Sequence, residues 1–119
     1  MKYFLSQPMN GLTEEQIIDN TDKYVKTIKS IDPRMEYVNT LFFPKESDFP
    51  NGVTGDKRRI FCLGRSVSRI AECDCIVFVT DCYIHSNGCK IEYEVAKTYG
   101  IPMYTLIDER LYDLEPIKY

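Results

Sequence analysis

The sequence predicts an α/β fold of the flavodoxin or Rossmann-like kind, in which helices cover both faces of a mainly parallel four- or five-stranded sheet in three α/β/α layers. Three observations predict it. Short apolar runs alternate with longer stretches of helical periodicity, the pattern of successive βαβ units. The run Cys75–Val79 is apolar throughout, as a strand covered on both faces must be. From it the chain passes through a polar loop into a helical segment that ends at Gly100 and Pro102.

The elements follow in order. Tyr3 to Leu5 forms a short first strand, and in the Ser-Gln-Pro-Met-Asn-Gly loop after it Pro8 and Gly11 forbid regular structure. Thr13 and Gln16 make a capping box. Ile17, Ile18, Thr21, Tyr24, Val25, Ile28 and Ile31 then recur at helical spacing, so a helix runs over 13–31 until Asp32-Pro33 stops it. Residues 35–38 form a second strand that 40–43 extends or follows, and 44–55, rich in Pro, Gly, Asp and Asn, form a surface loop. Ile60, Leu63, Val67 and Ile70 mark the buried stripe of a helix over 56–72. The strand from Cys75, a helix over 88–99 and a last strand at Met103–Ile107 complete one domain spanning 1–119, with the polar tail from Asp108 assigned no element. Right-handed crossovers and a flavodoxin-like strand order set the first strand beside the one at Cys75. Their following loops then flank one crevice, with residues 6–11 on one wall and 81–88 with Glu92 on the other.

Composition excludes several classes. A chain of 119 residues with 44% hydrophobic content can bury a core without metal or disulfide support. A net charge of -3 supplies no basic field for a nucleic-acid backbone, so nucleic acid is not an expected partner. No apolar run approaches the roughly 20 residues that cross a bilayer. The start MKYFLSQPMNG meets Gln, Pro and Asn too soon for a signal peptide, so no membrane partner and a cytoplasmic location are expected. The five cysteines are then reduced thiols. Cys73, Cys75, Cys82, His85 and Cys89 lie close in sequence, but a strand rising about 3.3 Å per residue separates Cys75 from Cys82 too far for one ion. Neither a metal nor another cofactor is expected.

The chemistry concentrates around Glu92. It lies between Gly88 and Ala96 at helical spacing, which places a carboxylate in a shallow notch near a helix start and at the carboxyl end of a strand, where open α/β sheets bind ligands. Such a carboxylate is held ionised by the helix amino end; the alternative is a solvated helix residue like Glu94. Ser86 either caps that helix or, with the free N–H groups there, meets a phosphate. His85, the only histidine, either donates a proton or is simply solvated. Lys57, Arg58 and Arg59 can meet a phosphate or form a solvated face, and Arg65 and Arg69, one turn apart beside Ser66, are better placed. Tyr3 and Phe4 read as core.

Three pieces of this chain occur in order and span nearly all of it: Ser6-Gln7-Pro8-Met9-Asn10-Gly11, then Leu63-Gly64-Arg65-Ser66 leading into Cys73-Asp74, then Gly88-Cys89-Lys90-Ile91-Glu92 with Ala96 and Gly100. In them the chain resembles the nucleoside 2-deoxyribosyltransferase-like superfamily, and within it small bacterial and phage proteins that begin with a Ser-Gln-Pro-Met-x-Gly loop. The resemblance implies N-glycosidic bond chemistry, with Glu92 attacking the anomeric carbon of a deoxyribosyl group to form a covalent sugar ester. It implies a substrate-binding set of Ser6, Gln7, Pro8, Met9, Gly11, Ser66, His85, Ser86, Asn87 and Gly88. At the position of Ser86 the base-exchanging transferases carry an aspartate and the hydrolases of deoxynucleoside 5'-monophosphates a serine. At Ser66 the chain departs from the characterised enzymes, which have an aspartate there that assists the leaving base. Asp81, closer to the crevice than Asp74, can replace that acid in catalysis, whereas Asp74 orients the start of its strand. The relatives are oligomers whose sites an adjacent subunit completes, so a homo-oligomer, most simply a dimer packed through the aromatic tail with Tyr104, Tyr112 and Tyr119, is implied. Two functions stay open: an enzyme acting on a nucleoside or nucleotide, and a non-catalytic binder of a nucleotide-derived ligand.

Overall fold

A computed structural model describes residues 1–115 of the chain. Its strands are β1 (Lys2–Ser6), β2 (Glu36–Tyr37), β3 (Cys75–Val79), β4 (Met103–Ile107) and β5 (Arg110–Asp113), and its helices are α1 (Glu14–Ile31), α2 (Lys57–Ile70), α3 (Cys82–His85) and α4 (Asn87–Tyr99). The sheet order is β2-β1-β3-β4-β5, with the first four strands parallel and β5 antiparallel to β4. This is a mixed α/β fold compatible with the three-layer, Rossmann-like arrangement.

Strand alternation sorts the core into two layers. On one face Tyr3 and Leu5 of β1 and Cys75, Val77 and Val79 of β3 pack with Ile28 of α1 and Met35. On the other, Phe4, Ile76 and Phe78 pack with Ile70 of α2 and with Cys89, Tyr93 and Ala96 of α4. The register Ser6↔Phe78 continues this alternation, so the last side chain of β1 faces α4 although it is polar. Asp74 ties the start of the sheet together, accepting the Lys2 backbone N–H at 2.7 Å. Thr13 caps α1 with both bonds of the capping box in place.

Three local features depart from expectation. The second strand is only two residues long and 40–43 form no strand, because the Asn39 side chain accepts the Leu41 N–H at 3.0 Å and bends the chain away. The tail from Asp108 does form an element. Asp108 and Glu109 take φ of 46° and 64° in a two-residue turn of the hairpin kind, and Ile107 pairs with Arg110. An extra turn of helix, α3, fills the connection between β3 and α4. Tyr104 packs against the α1-side core and Tyr112 is exposed on β5, while Tyr119 lies outside the described residues. Among the described residues no helix is long and apolar enough to cross a membrane.

Candidate functional site

β1 and β3 lie side by side, and the chain leaves their carboxyl ends in different directions. The gap is a cleft of about 660 Å³, within the range of small-molecule sites. Pro8, Met9 and Asn10 form one wall, Asp81 and residues 85–88 the facing one, and Arg59, Ile60, Leu63 and Ser66 of α2 close the side.

Glu92 lies at the floor of this cleft. Its helix buries the stripe Cys89, Glu92, Tyr93 and Ala96, spaced as one face of a helix must be, so the carboxyl group is driven inward and is 6% exposed. Glu94 is exposed. Ser6 Oγ donates to Glu92 Oε1 at 2.8 Å, and Ser66 Oγ donates to Oε2 at 3.2 Å. Burial pushes this carboxyl up to about 7, against the two serine hydrogen bonds that favour the ionised form and with the nearby Cys89 adding to the rise. The expected full ionisation at neutral pH is therefore corrected. Glu92 is the sixth residue of α4, beyond the first turn where the helix dipole acts, and desolvation wins. The shallow notch is corrected too. Ala96 belongs to the core, and a methyl group on Gly88 would meet only Leu63 Cδ1 at 3.8 Å.

The structure brings most of the expected site residues to one place, in different roles. Ser6 and Ser66 both direct their hydroxyls at Glu92. Gln7 is buried, and its Nε2 donates to Thr21 Oγ1 at 2.6 Å, so it anchors the loop to α1 while also lining the cleft. Gly11 does not line the cleft. Its φ of +79° belongs to the turn closed by Leu12 N–H on Met9 C=O, a conformation glycine adopts without strain. Ser86, Asn87 and Gly88 line the wall, and the Ser86 side chain makes no capping bond to α4; it lies against the Cys89 thiol instead.

On the rim, His85 Nε2 and Asp81 Oδ2 are 3.0 Å apart across one turn of α3. They are placed there by Thr80, whose φ of 50° is a rare conformation for a β-branched residue and costs about 1–3 kcal/mol. Two bonds hold it, Thr80 N–H to the Leu106 carbonyl at 2.9 Å and Thr105 Oγ1 to the Thr80 carbonyl at 2.5 Å.

The basic residues of α2 separate cleanly. Arg58 forks onto Glu46, Arg69 pairs with Glu72, and Arg65 stacks on Phe42 with its guanidinium 4.0 Å from the ring centroid. Arg59 lines the cleft, and its side chain makes no ion pair or hydrogen bond among the described residues. Sequence reasoning missed Phe42 and Ile60 as cleft walls, since neither carries a chemical signal. No group of three metal-ligating side chains comes together among the described residues. Compared with known proteins, the chain matches no protein-family model, no curated protein and no solved structure.

Proposed function

We propose that this cleft cleaves or exchanges the N-glycosidic bond of a (deoxy)nucleoside or nucleotide in the cytoplasm, with Glu92 as the nucleophile. The observation that carries the reading is a buried carboxyl group held by two serine hydroxyls at the floor of a ligand-sized cleft. A carboxyl raised toward neutrality and oriented at both oxygens is pre-organised for attack and poorly explained by fold stability. Oε1 is taken by the fully buried Ser6, which leaves Oε2, beside the half-buried Ser66, for the anomeric carbon. As that bond forms the C–N bond breaks, its electron pair leaves with the base, and the base takes a proton. His85, oriented by Asp81, supplies that proton from the rim in place of the missing acid at Ser66. Water or a second base then displaces the sugar from Glu92. Arg59 is the cation available for a phosphate, which favours a nucleotide over a nucleoside.

Incubation with a panel of nucleosides, 5'-nucleotides and dinucleotides should release free base from at least one member, most readily a 5'-nucleotide. One observation favours a second reading: Ser66 gives its proton to Glu92, so the residue where relatives carry the acid is engaged with the carboxyl itself. A non-catalytic binder would shift its melting temperature with a panel member and release no base.

The α2 wall of the cleft is itself thinly covered, since Ile60 is 69% exposed and Ile70 is the only buried residue of the helix. A second copy of the chain covering this face would shield the sugar from water. Light scattering at micromolar concentration should give the mass of a dimer or larger assembly; a monomer would remove the homo-oligomer from the proposal.

A further inference from the structure

β1 ends at the cleft with two polar side chains in succession. Ser6 turns to the α4 side and meets Glu92, so by strand alternation Gln7 turns to the α1 side. There Gln7 is 7% exposed, and its one side-chain hydrogen bond among the described residues runs from Nε2 to Thr21 Oγ1 at 2.6 Å. Thr21 is buried as well, and its hydroxyl donates to the Ile17 carbonyl at 2.7 Å, one turn back along α1.

These two bonds fix which way the amide faces. A threonine hydroxyl has one proton, and Thr21 gives it to Ile17, so towards Gln7 it can only accept. The amide therefore turns its NH₂ group to Thr21 and its carbonyl oxygen away. With the amide turned over, Thr21 would have to withdraw its proton from Ile17 and give it to Gln7, and one of two buried bonds would be lost. Oε1 accepts no hydrogen bond, yet among the described residues no buried side-chain oxygen or nitrogen lacks a partner, so this oxygen is itself open to solvent. Gln7 lines the cleft, whereas Thr21 lines a separate groove between α1 and residues 37–43.

We infer that Gln7 is a specificity-determining residue whose carbonyl oxygen accepts a hydroxyl of the ligand's sugar, and that Thr21, behind it and outside the cleft, is the positioning residue that keeps this oxygen turned to the ligand. The inference rests on the reading that a sugar sits over Glu92, and is independent of whether its bond to the base is cleaved.

Position and chemistry both match a sugar hydroxyl. Gln7 follows Ser6, and successive Cα atoms are about 3.8 Å apart, so the acceptor lies close to the carboxyl group that faces the anomeric carbon. Ser6 and Ser66 have already given their hydroxyl protons to Glu92, so neither competes with the ligand for the Gln7 oxygen. A carbonyl oxygen held in one orientation is satisfied by a hydroxyl and left unpaired by a hydrogen on the same carbon. In a side chain this deeply buried the unpaired oxygen regains little water, which is how a desolvated acceptor rejects a ligand that lacks the donor.

The test measures dissociation constants of AMP, GMP, CMP and UMP and of their 2'-deoxy and 3'-deoxy counterparts by calorimetry on the intact chain. For wild type, at least one of the four ribonucleotides should bind about tenfold more tightly than one of its two deoxy counterparts, and which counterpart loses names the hydroxyl. Gln7→Met keeps the length of the side chain and removes the acceptor, so it should bring the two within about twofold. Thr21→Val takes nothing from the cleft lining but frees the amide to turn, so it should narrow the gap; Thr21→Ser keeps the hydroxyl and should restore it. The two Thr21 variants carry the test if Gln7→Met does not fold. Equal affinity across the three sugars, or no binding of any, overturns the inference, as does a gap that Gln7→Met leaves whole. A gap that Thr21→Val leaves whole overturns the positioning role. Base release is read on the same panel. Its absence beside a gap that Gln7→Met closes removes the glycosidic chemistry and leaves the role of Gln7 standing, whereas base release beside a gap indifferent to Gln7 does the reverse.

Discussion

Glu92→Gln is expected to abolish base release, lowering kcat on the order of 10⁴-fold or more, as removal of a covalent nucleophile does. An amide cannot attack an anomeric carbon and give a stable ester, but it fills the same space. Its oxygen still accepts from Ser6, and its NH₂ group donates to Ser66, whose hydroxyl turns to accept. Ligand affinity, read as the thermal shift with the best member of the nucleotide panel, should therefore change by less than about tenfold. Glu94→Gln, on the exposed side of the same helix, should leave both quantities unchanged. The wild-type rate should itself report the carboxyl. Only the ionised form attacks, so on the acid limb kcat/KM should rise about tenfold per pH unit up to the Glu92 midpoint of about 7. Retained turnover in Glu92→Gln would eliminate the covalent route and leave the binder as the better reading.

Most of the fold was legible because its signals are local. The unbroken apolar run at β3, the capping box and periodicity of α1 and the Gly100 stop of α4 each sit within a few residues of the structure they cause. The misses share a different cause. β2 is cut short by one side-chain bond from Asn39, and the β4–β5 turn forms on Asp108 and Glu109 without the Asn-Gly or Asp-Gly pair that marks such turns. In the site, the helical spacing around Glu92 placed a carboxyl at the crevice but did not show its depth. That depth is set by Ser6, 86 positions away, and by Ser66, 26 positions away. Whether a carboxyl on a helix is solvated or desolvated depends on what another element places opposite it, and spacing along one helix carries no such information. For the same reason the sequence did not show that Ser6 and Ser66 hydrogen-bond Glu92.

Stability as a function of pH should differ between wild type and Glu92→Gln by about 3 kcal/mol across the acid-to-neutral range. The Glu92 carboxyl has its midpoint at about 7 in the folded chain against 4.5 as its ordinary value, and desolvation is the main cause. Below the ordinary value both folded and unfolded chains hold the proton, and the site costs nothing. Between the two values the unfolded chain releases the proton while the folded chain retains it. The unfolded state then binds fewer protons, so stability falls as pH rises, and above about 7 the full loss remains. Glu92→Gln has no proton to release. Its denaturation free energy, measured in urea at pH 5 and at pH 8, should gain on wild type over this interval, while the other titrating groups, present in both proteins, largely cancel in the difference. Parallel curves would show that water reaches the carboxyl freely and that its midpoint is ordinary. A widening gap would mean that the chain carries, at neutral pH, a side chain that destabilises its own fold. A buried acid of that kind, held at both oxygens by hydroxyls and facing a cleft, fits the proposed chemistry at the site better than a role in packing.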